Sequence, residues 1–332
     1  MSSAELTSDA TRRPFSGRRV RVGDLTLQVV AGLAAAGATA LVGLIAWKVV
    51  DGARPAIAQF GIHFVTDVVW SPAAGHELYG AGSFLFGTAI TSLLALLIAG
   101  PLAIGIALYL TELAPRLLRG PITALVETLA AIPSVVMGLW GILVLAPVLR
   151  DHVEPALHSA LGFIPLFGAP SQTGSGIFTA VVVLAIMILP IVSSITRELF
   201  LGVPGELKEG AFALGTTRWE MVRGVVFPYA RGGIAAALIL GLGRAVGEAI
   251  AVTQVIGGGV FVHWNIFDNG DTLASKIAAS YQGATTKLQV SSLVYLALIL
   301  LVFSLVMNLA AQWVVRRVAR RQGAGVTRVG GA

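Results

Sequence analysis

The chain has 332 residues, of which 56% are hydrophobic and only 12% charged, with a mean hydropathy of +0.84. Soluble domains carry about 25% charged residues, so this composition describes a polytopic membrane protein with little left over for a soluble domain. The absence of cysteine excludes disulfides, thiolate zinc sites and thiol nucleophiles, and the net charge of +6 belongs to loops rather than to nucleic-acid binding.

Residues 1–26 are polar and basic, with Arg12, Arg13, Arg18, Arg19 and Arg21, and read as a mostly disordered tail. The apolar run Leu27 to Val50 exceeds a signal-peptide core of about 7–15 residues and is expected as a retained first span. Residues 51–80 are mixed and read as an exposed connection with an interfacial helix, so that 27–83 form a span plus its extracytoplasmic connection. A second span is expected over 84–111, kinked at Pro101, because a proline inside a helix removes one backbone hydrogen bond. A third span is expected over 122–148, broken at Ile132-Pro133-Ser134, with Glu127 near its start. Residues 150–174 read as a loop. A fourth span over 175–196, with Pro190 toward its end, leads into the longest charged stretch, 197–231. A fifth span over 233–256, a loop to about 287 opened by Gly257-Gly258-Gly259, and a sixth span over 288–315 follow, before a basic tail at 317–332.

Six spans place both termini on one side. That side carries the five arginines of the first tail, then Arg116, Arg119, Arg197, Lys208, Arg218, Arg223 and Arg231, and finally Arg316, Arg317, Arg320, Arg321 and Arg328. The other side carries Arg54, Arg150, Lys276 and Lys287. The positive-inside rule therefore places both termini and the 197–231 loop in the cytoplasm. The histidines, His63, His76, His152, His158 and His263, fall outside the expected spans without a paired metal spacing, so neither metal nor cofactor is expected.

Arg244 is the costly residue. It lies in the apolar run Leu238 to Val252, and an arginine at mid-membrane costs roughly 2.5–3.5 kcal/mol on insertion scales. Glu248 follows four residues later, which on a continuous helix puts both side chains on one face, about 6 Å apart along the axis. Such a pair suggests a site that handles charge inside the membrane. Arg244 is expected on a translocation path. Glu248 either holds Arg244 ready and weakens anion binding enough for release, or only neutralises it.

The 197–231 stretch has its own local logic. Pro204 suits the start of a helix ending at Gly215, and Thr217 followed by Glu220 is a capping-box pattern opening a second short helix. Pro228 is expected to end that helix before the fifth span. The same stretch resembles the EAA loop of ABC importer permeases: E-A-A, three residues, G, nine residues, I-x-L-P. Here stand Glu209-Gly210-Ala211, Gly215 and Val225-Val226-Phe227-Pro228, departing at Gly210, Val225 and Phe227. The resemblance implies that Glu209, Ala211, Gly215 and Pro228 belong to a coupling loop docking on a separate ATPase. The chain has no P-loop of its own, since its lysines, Lys48, Lys208, Lys276 and Lys287, none of them follow a glycine. No nucleophile–base constellation appears either, and an enzyme is not expected.

Further stretches resemble the phosphate importer permeases of the PstC type. They are Tyr79-Gly80, Ala107 to Pro115, Glu127, Ala130 to Gly141, Ala185 to Pro190 and Leu240 to Val252, the last close to G-L-G-R-A-x-G-E-T but with Ala249 in place of threonine. The resemblance covers roughly residues 30–320. It implies an all-α polytopic fold of six transmembrane helices, the type I ABC importer permease fold, with a permease core over 84–316. It also implies a multi-pass protein of the bacterial inner membrane, surrounded by lipid. The expected partners are a second homologous permease (PstA-like), two ATPase subunits (PstB-like), an extracytoplasmic phosphate-binding protein (PstS-like) and phosphate itself. The chemistry agrees, because a guanidinium offers a planar fork of donors to an oxyanion and stays charged when buried. Two alternatives stay open from the residues: an ABC permease for sulfate or molybdate, and a proton-coupled anion carrier, which would need no EAA loop.

Overall fold

The computed structural model describes residues 22–73, 76–260, 262 and 264–323. Among them six helical spans are long and apolar enough to cross a membrane: Leu25–Phe60, Gly82–Leu113, Ser134–Leu161, Ile177–Leu201, Arg218–Gly247 and Lys287–Arg317. The chain divides into two units, Met1–Lys48 and Val49–Ala332. Residues 1–21 and 324–332 of the expected tails, and His263, lie outside the described residues.

Helix α1 (Val22–Phe60) starts within the expected N-terminal tail and runs past the expected end at Val50. In the first unit it presents apolar side chains such as Leu27, Leu33 and Val42 outward, as a helix in lipid does. In the second unit it continues through residues read from sequence as a connection, for reasons that are local. Asp51 and Arg54 pair along the helix at 3.4 Å. Pro55 sits inside the helix, and Ser291 mends the adjacent ladder. The Ser291 hydroxyl accepts from the Ala56 N–H at 3.0 Å and donates to the Gly52 carbonyl at 2.9 Å. Beyond α2 (His63–Thr66), strands β1 (Trp70–Ser71) and β2 (Leu78–Tyr79) pair antiparallel, Trp70 opposite Tyr79.

Helix α3 (Gly82–Leu108) contains Pro101 and ends in a wide turn, Tyr109–Leu113. The expected third span is displaced. Helix α4 (Arg116–Ala131) buries no residue and ends where Ile132 turns extended before Pro133. Its 16 residues cover about 24 Å, short of a hydrocarbon core of about 30 Å. The span is instead α5 (Ser134–Leu161), bent by wide turns on either side of Pro147. It absorbs the first part of the expected 150–174 loop because its charges are satisfied in place. Arg150 pairs with Asp151 at 2.6 Å, and the buried Glu154 carboxylate accepts the Ser171 N–H at 2.8 Å.

Helix α6 (Ile177–Leu201) is the most enclosed span. Ala95 and Ala99 of α3, Leu184 and Ile188 of α6, and Met137 of α5 meet in the central core; small residues on α3 let the helices close by van der Waals packing. The next segments are α7 (Gly205–Ala213), α8 (Arg218–Met221), α9 (Phe227–Gly247) and α10 (Ile250–Val255). Helices α11 (Leu273–Ser280) and α12 (Lys287–Gly323) complete the chain.

The segment before α11 is locked onto α3. The Leu273 N–H donates to Thr88 Oγ1 at 2.9 Å, and the Ser275 hydroxyl donates to the buried Asp271 carboxylate. Burial pushes the Asp271 carboxyl above the usual carboxylate range, opposed by the Ser275 hydrogen bond and by Lys276. Gly87 lies against the Asp271 backbone carbonyl, where a Cβ would overlap the oxygen. Gly87→Ala is therefore expected to destabilise the detergent-solubilised chain by about 1–3 kcal/mol through overpacking. Gly105→Ala, which meets open space, is expected to gain about 0.5–1 kcal/mol from helix propensity. Thermal unfolding of both variants beside the parent checks the pair.

Candidate functional site

Helix α7 follows Pro204 and stops where Gly215 adopts φ +80°, the left-handed conformation that closes a helix end with least strain in glycine. Thr217 then caps α8 as its spacing from Glu220 predicts. Its hydroxyl accepts the Glu220 N–H at 3.3 Å, and the Glu220 carboxylate accepts the Thr217 N–H at 2.8 Å. Glu209 is exposed and Ala211 half-buried, its carbonyl accepting the Thr216 hydroxyl at 2.9 Å. Leu207, Phe212, Leu214 and Trp219 stand exposed around this tip, Leu214 at 87%.

The sequence reading missed what ties the tip to the bundle. Lys208 Nζ donates to Glu112 Oε1 at 2.6 Å and to the Phe200 carbonyl at 3.3 Å, while Arg218 Nη1 donates to the Glu112 carbonyl at 3.3 Å. Both partners of the Lys208–Glu112 pair are largely shielded, at 20% and 11% exposure. Nothing in local periodicity signals this pair, because its members are 96 positions apart.

Pro228 does not end the second short helix. It occupies the first turn of α9, which continues α8 through a wide turn at Val222–Val226, and Arg218–Gly247 forms one span of 30 residues. A proline clashes with the carbonyl four residues earlier and offers no N–H. The wide turn, in which the Phe227 N–H reaches back to the Val222 carbonyl, opens the backbone where that clash would fall.

The Arg244–Glu248 pair is also built differently from the continuous helix expected. Helix α9 ends at Gly247, and Glu248 is extended, with φ −74° and ψ 116°. Arg244 lies in the last turn of α9, where the exposed carbonyls carry partial negative charge. The Glu248 carboxylate turns the other way and accepts the Ala251 N–H at 3.3 Å, in the first turn of α10. Each charge is thus held by a helix end, and among the described residues Arg244 makes no hydrogen bond or salt bridge. The break is positioned by close packing: a side chain on Gly138 of α5 would come within 2.9 Å of the Ala251 Cα.

Arg244 and Glu248 still share a space. Both line a broadly open cavity of about 930 Å³ between α9 and α12, opposite Asn308, Gln312 and Arg316, with the Arg244 side chain exposed to it. The sequence reading passed over Asn308 and Gln312 and counted Arg316 only as a terminal charge. Their four-residue recurrence in an apolar run was the available signal. Glu127 lies apart, exposed on α4 at a small hollow shared with Arg197 and Ser194. An unpaired guanidinium facing a cavity of this size can hold an oxyanion through two parallel hydrogen bonds.

The chain matches the family profile described as "Binding-protein-dependent transport system inner membrane component" over residues 99–320. It is 42% identical over 330 residues to the phosphate transport system permease protein PstC of Mesorhizobium japonicum, covering 98% of this chain and 100% of that one. It is 41% identical to a Xylella fastidiosa protein of the same name, covering 88% of this chain and 90% of that one. Phosphate transport system permease protein PstC 2 of Mycobacterium tuberculosis is 40% identical, with 89% and 92% covered. Among solved structures, a bacterial alginate ABC transporter in complex with an alginate pentasaccharide-bound periplasmic protein superposes with a TM-score of 0.60 at 17% identity. That match covers 90% of this chain and 97% of that one. The fold is accordingly that of the type I ABC importer permeases.

Glu112→Gln removes a charged acceptor from a shielded lysine, a contact worth about 1.5–3 kcal/mol. The α7 backbone amides are expected to exchange hydrogen about ten-fold faster or more in this variant, while those of α6 stay protected. Hydrogen-exchange mass spectrometry of variant and parent reads the difference.

Proposed function

We propose a function from the family to which this chain belongs, the binding-protein-dependent transport system inner membrane components. It is the PstC-type permease subunit of an ATP-driven phosphate importer, forms half of the translocation path, and hydrolyses no ATP itself. The observation that carries this reading is the unpaired Arg244, facing a cavity from the end of a span that continues into the 197–231 loop. The agreement of full-length relatives named as phosphate permeases favours phosphate over sulfate or molybdate.

In this reading residues 84–316 form the permease core, preceded by a first span and its extracytoplasmic connection at 27–83, with cytoplasmic tails at 1–26 and 317–332, in a bacterial inner membrane. Arg244 receives the phosphate oxyanion. Glu248, on the same cavity but bonded to the Ala251 N–H, weakens that hold enough to permit release. Residues Glu209, Ala211, Gly215 and Pro228 belong to the loop that meets an ATPase. The exposed Leu207, Phe212, Leu214 and Trp219 give that loop an apolar docking tip. Closure of two PstB-like ATPase subunits pushes α7 and α8. The rigid run from Arg218 to Gly247 carries the displacement to Arg244, and the Lys208–Glu112 pair shares it with α3. A PstA-like permease completes the path, and a PstS-like binding protein delivers phosphate from outside.

Arg244→Gln is expected to abolish ATP-dependent uptake of labelled phosphate into proteoliposomes while assembly with the partners persists. Retained high-affinity uptake would refute the role of Arg244. Leu214→Cys, beside Gly215, is expected to form a crosslink to the nucleotide-binding subunit in an active complex; an active complex that never crosslinks there removes the docking assignment.

A further inference from the structure

The cavity beside Arg244 has a second wall with no role so far. On α12, Asn308, Gln312 and Arg316 recur every four residues; the first two lie in a stretch from Leu296 to Val315 whose other members are apolar apart from Ser304, and Arg316 follows at its end. Four helical steps turn about 400° and advance about 6 Å, so the three heads form a column about 12 Å long on one face. All three line the cavity.

The upper end of the column stands level with Arg244. A Cβ on Gly243 would lie 3.8 Å from Asn308 Oδ1, ordinary contact distance, so that amide sits against the residue preceding the arginine. At the lower end the facing wall of α9 is Gly232 and Ala236, too small to fill the space in front of Arg316. Among the described residues, Asn308, Gln312 and Arg316 spend no hydrogen bond or ion pair on the protein. Their neighbour Arg317 behaves otherwise, with its guanidinium 4.9 Å from the centre of the Trp313 ring.

Polar heads are costly in an apolar span and face a cavity for a reason. The amides of Asn308 and Gln312 each offer an NH₂ donor pair, and Arg316 offers a charged fork. The carboxylate lining this cavity, Glu248, sits at the Arg244 end. An oxyanion leaving Arg244 therefore moves away from negative charge, past neutral donors, toward a second cation.

We propose that Asn308, Gln312 and Arg316 form a second oxyanion subsite, through which phosphate released from Arg244 passes before it leaves the protein. This rests on the importer function stated above. A phosphate-bearing lipid headgroup has the same chemistry as the free anion, and the test separates the two.

The complex with its partner subunits is reconstituted in vesicles of purely zwitterionic lipid and in vesicles containing anionic lipid, and uptake of labelled inorganic phosphate is followed. Gln312→Glu, which puts a negative charge at mid-column without changing size, and Arg316→Gln are each expected to lower the maximal rate about ten-fold or more in both vesicle types. The phosphate concentration for half-maximal uptake is expected to stay unchanged, because capture by the binding protein precedes this step. Arg317→Gln is expected to transport like the parent. Parental rates in both Gln312→Glu and Arg316→Gln overturn the subsite. A defect in Arg316→Gln confined to anionic vesicles also overturns it, in favour of a headgroup contact. Should Arg316→Gln fail to assemble, the rate of Gln312→Glu decides. A parent complex that moves no phosphate sinks the importer reading and the subsite with it, an outcome distinct from the others.

Discussion

Hydrocarbon offers no hydrogen bonds, so every backbone group inside an apolar span needs a partner within the protein. The architecture is a set of answers to that constraint. Several spans are interrupted, and three of the irregularities, one in Leu25–Phe60 and two in or at the end of Arg218–Gly247, have an identifiable compensation. The helix around Pro55 is bridged by a serine hydroxyl from another span. The turn before Pro228 widens to an i→i+5 pattern. The break at Glu248 hands a carboxylate to the next helix. Irregular backbone at such depth is tolerated where it is packed or lines a cavity, and the Glu248 break does both.

The last of these breaks changes the electrostatics of the site. On one unbroken helix, Arg244 and Glu248 would neutralise each other and leave little affinity for an anion. With α9 ending at Gly247, the arginine is stabilised by the carbonyl end of one helix and the glutamate by the amide end of the next. Two opposite charges can then line one cavity without consuming one another. The departure of Ala249 from threonine falls in this hinge, where the backbone rather than a hydroxyl supplies the donor to Glu248.

Much of the fold was legible in the sequence. Hydropathy found six spans in order, the third of them displaced toward Ser134–Leu161, and the Thr217–Glu220 spacing located a cap that the structure forms. Errors came where charge or proline was taken as a boundary. Arg150, Asp151 and Glu154 looked like a loop because their partners, one of them the Ser171 backbone, cannot be inferred from composition. Residues 51–60 looked like a connection, and Pro228 like a stop, because local rules do not reveal a mending hydroxyl or a widened turn. Residues 122–131 looked like membrane because α4 continues an apolar run, yet Pro133 leaves it too short. At the site, Arg244 and Glu248 were visible as expensive residues. Glu112 was quoted within a similar stretch without a job, because the lysine that gives it one is distant in sequence. The column on α12 needed only the four-residue period, which the long apolar run concealed.

In the proposed function, the continuity of the Arg218–Gly247 span makes it a lever as well as a wall. Arg244 sits about 39 Å along the axis from Arg218, at about 1.5 Å per residue. A tilt of about 5° about the Arg218 end would sweep the guanidinium through about 3 Å, by the same helix geometry. That is about the length of one hydrogen bond. In the proposed function, a contact to an anion can therefore be made or broken by rocking one hydrogen-bonded span, without melting a turn or exposing a backbone amide to lipid.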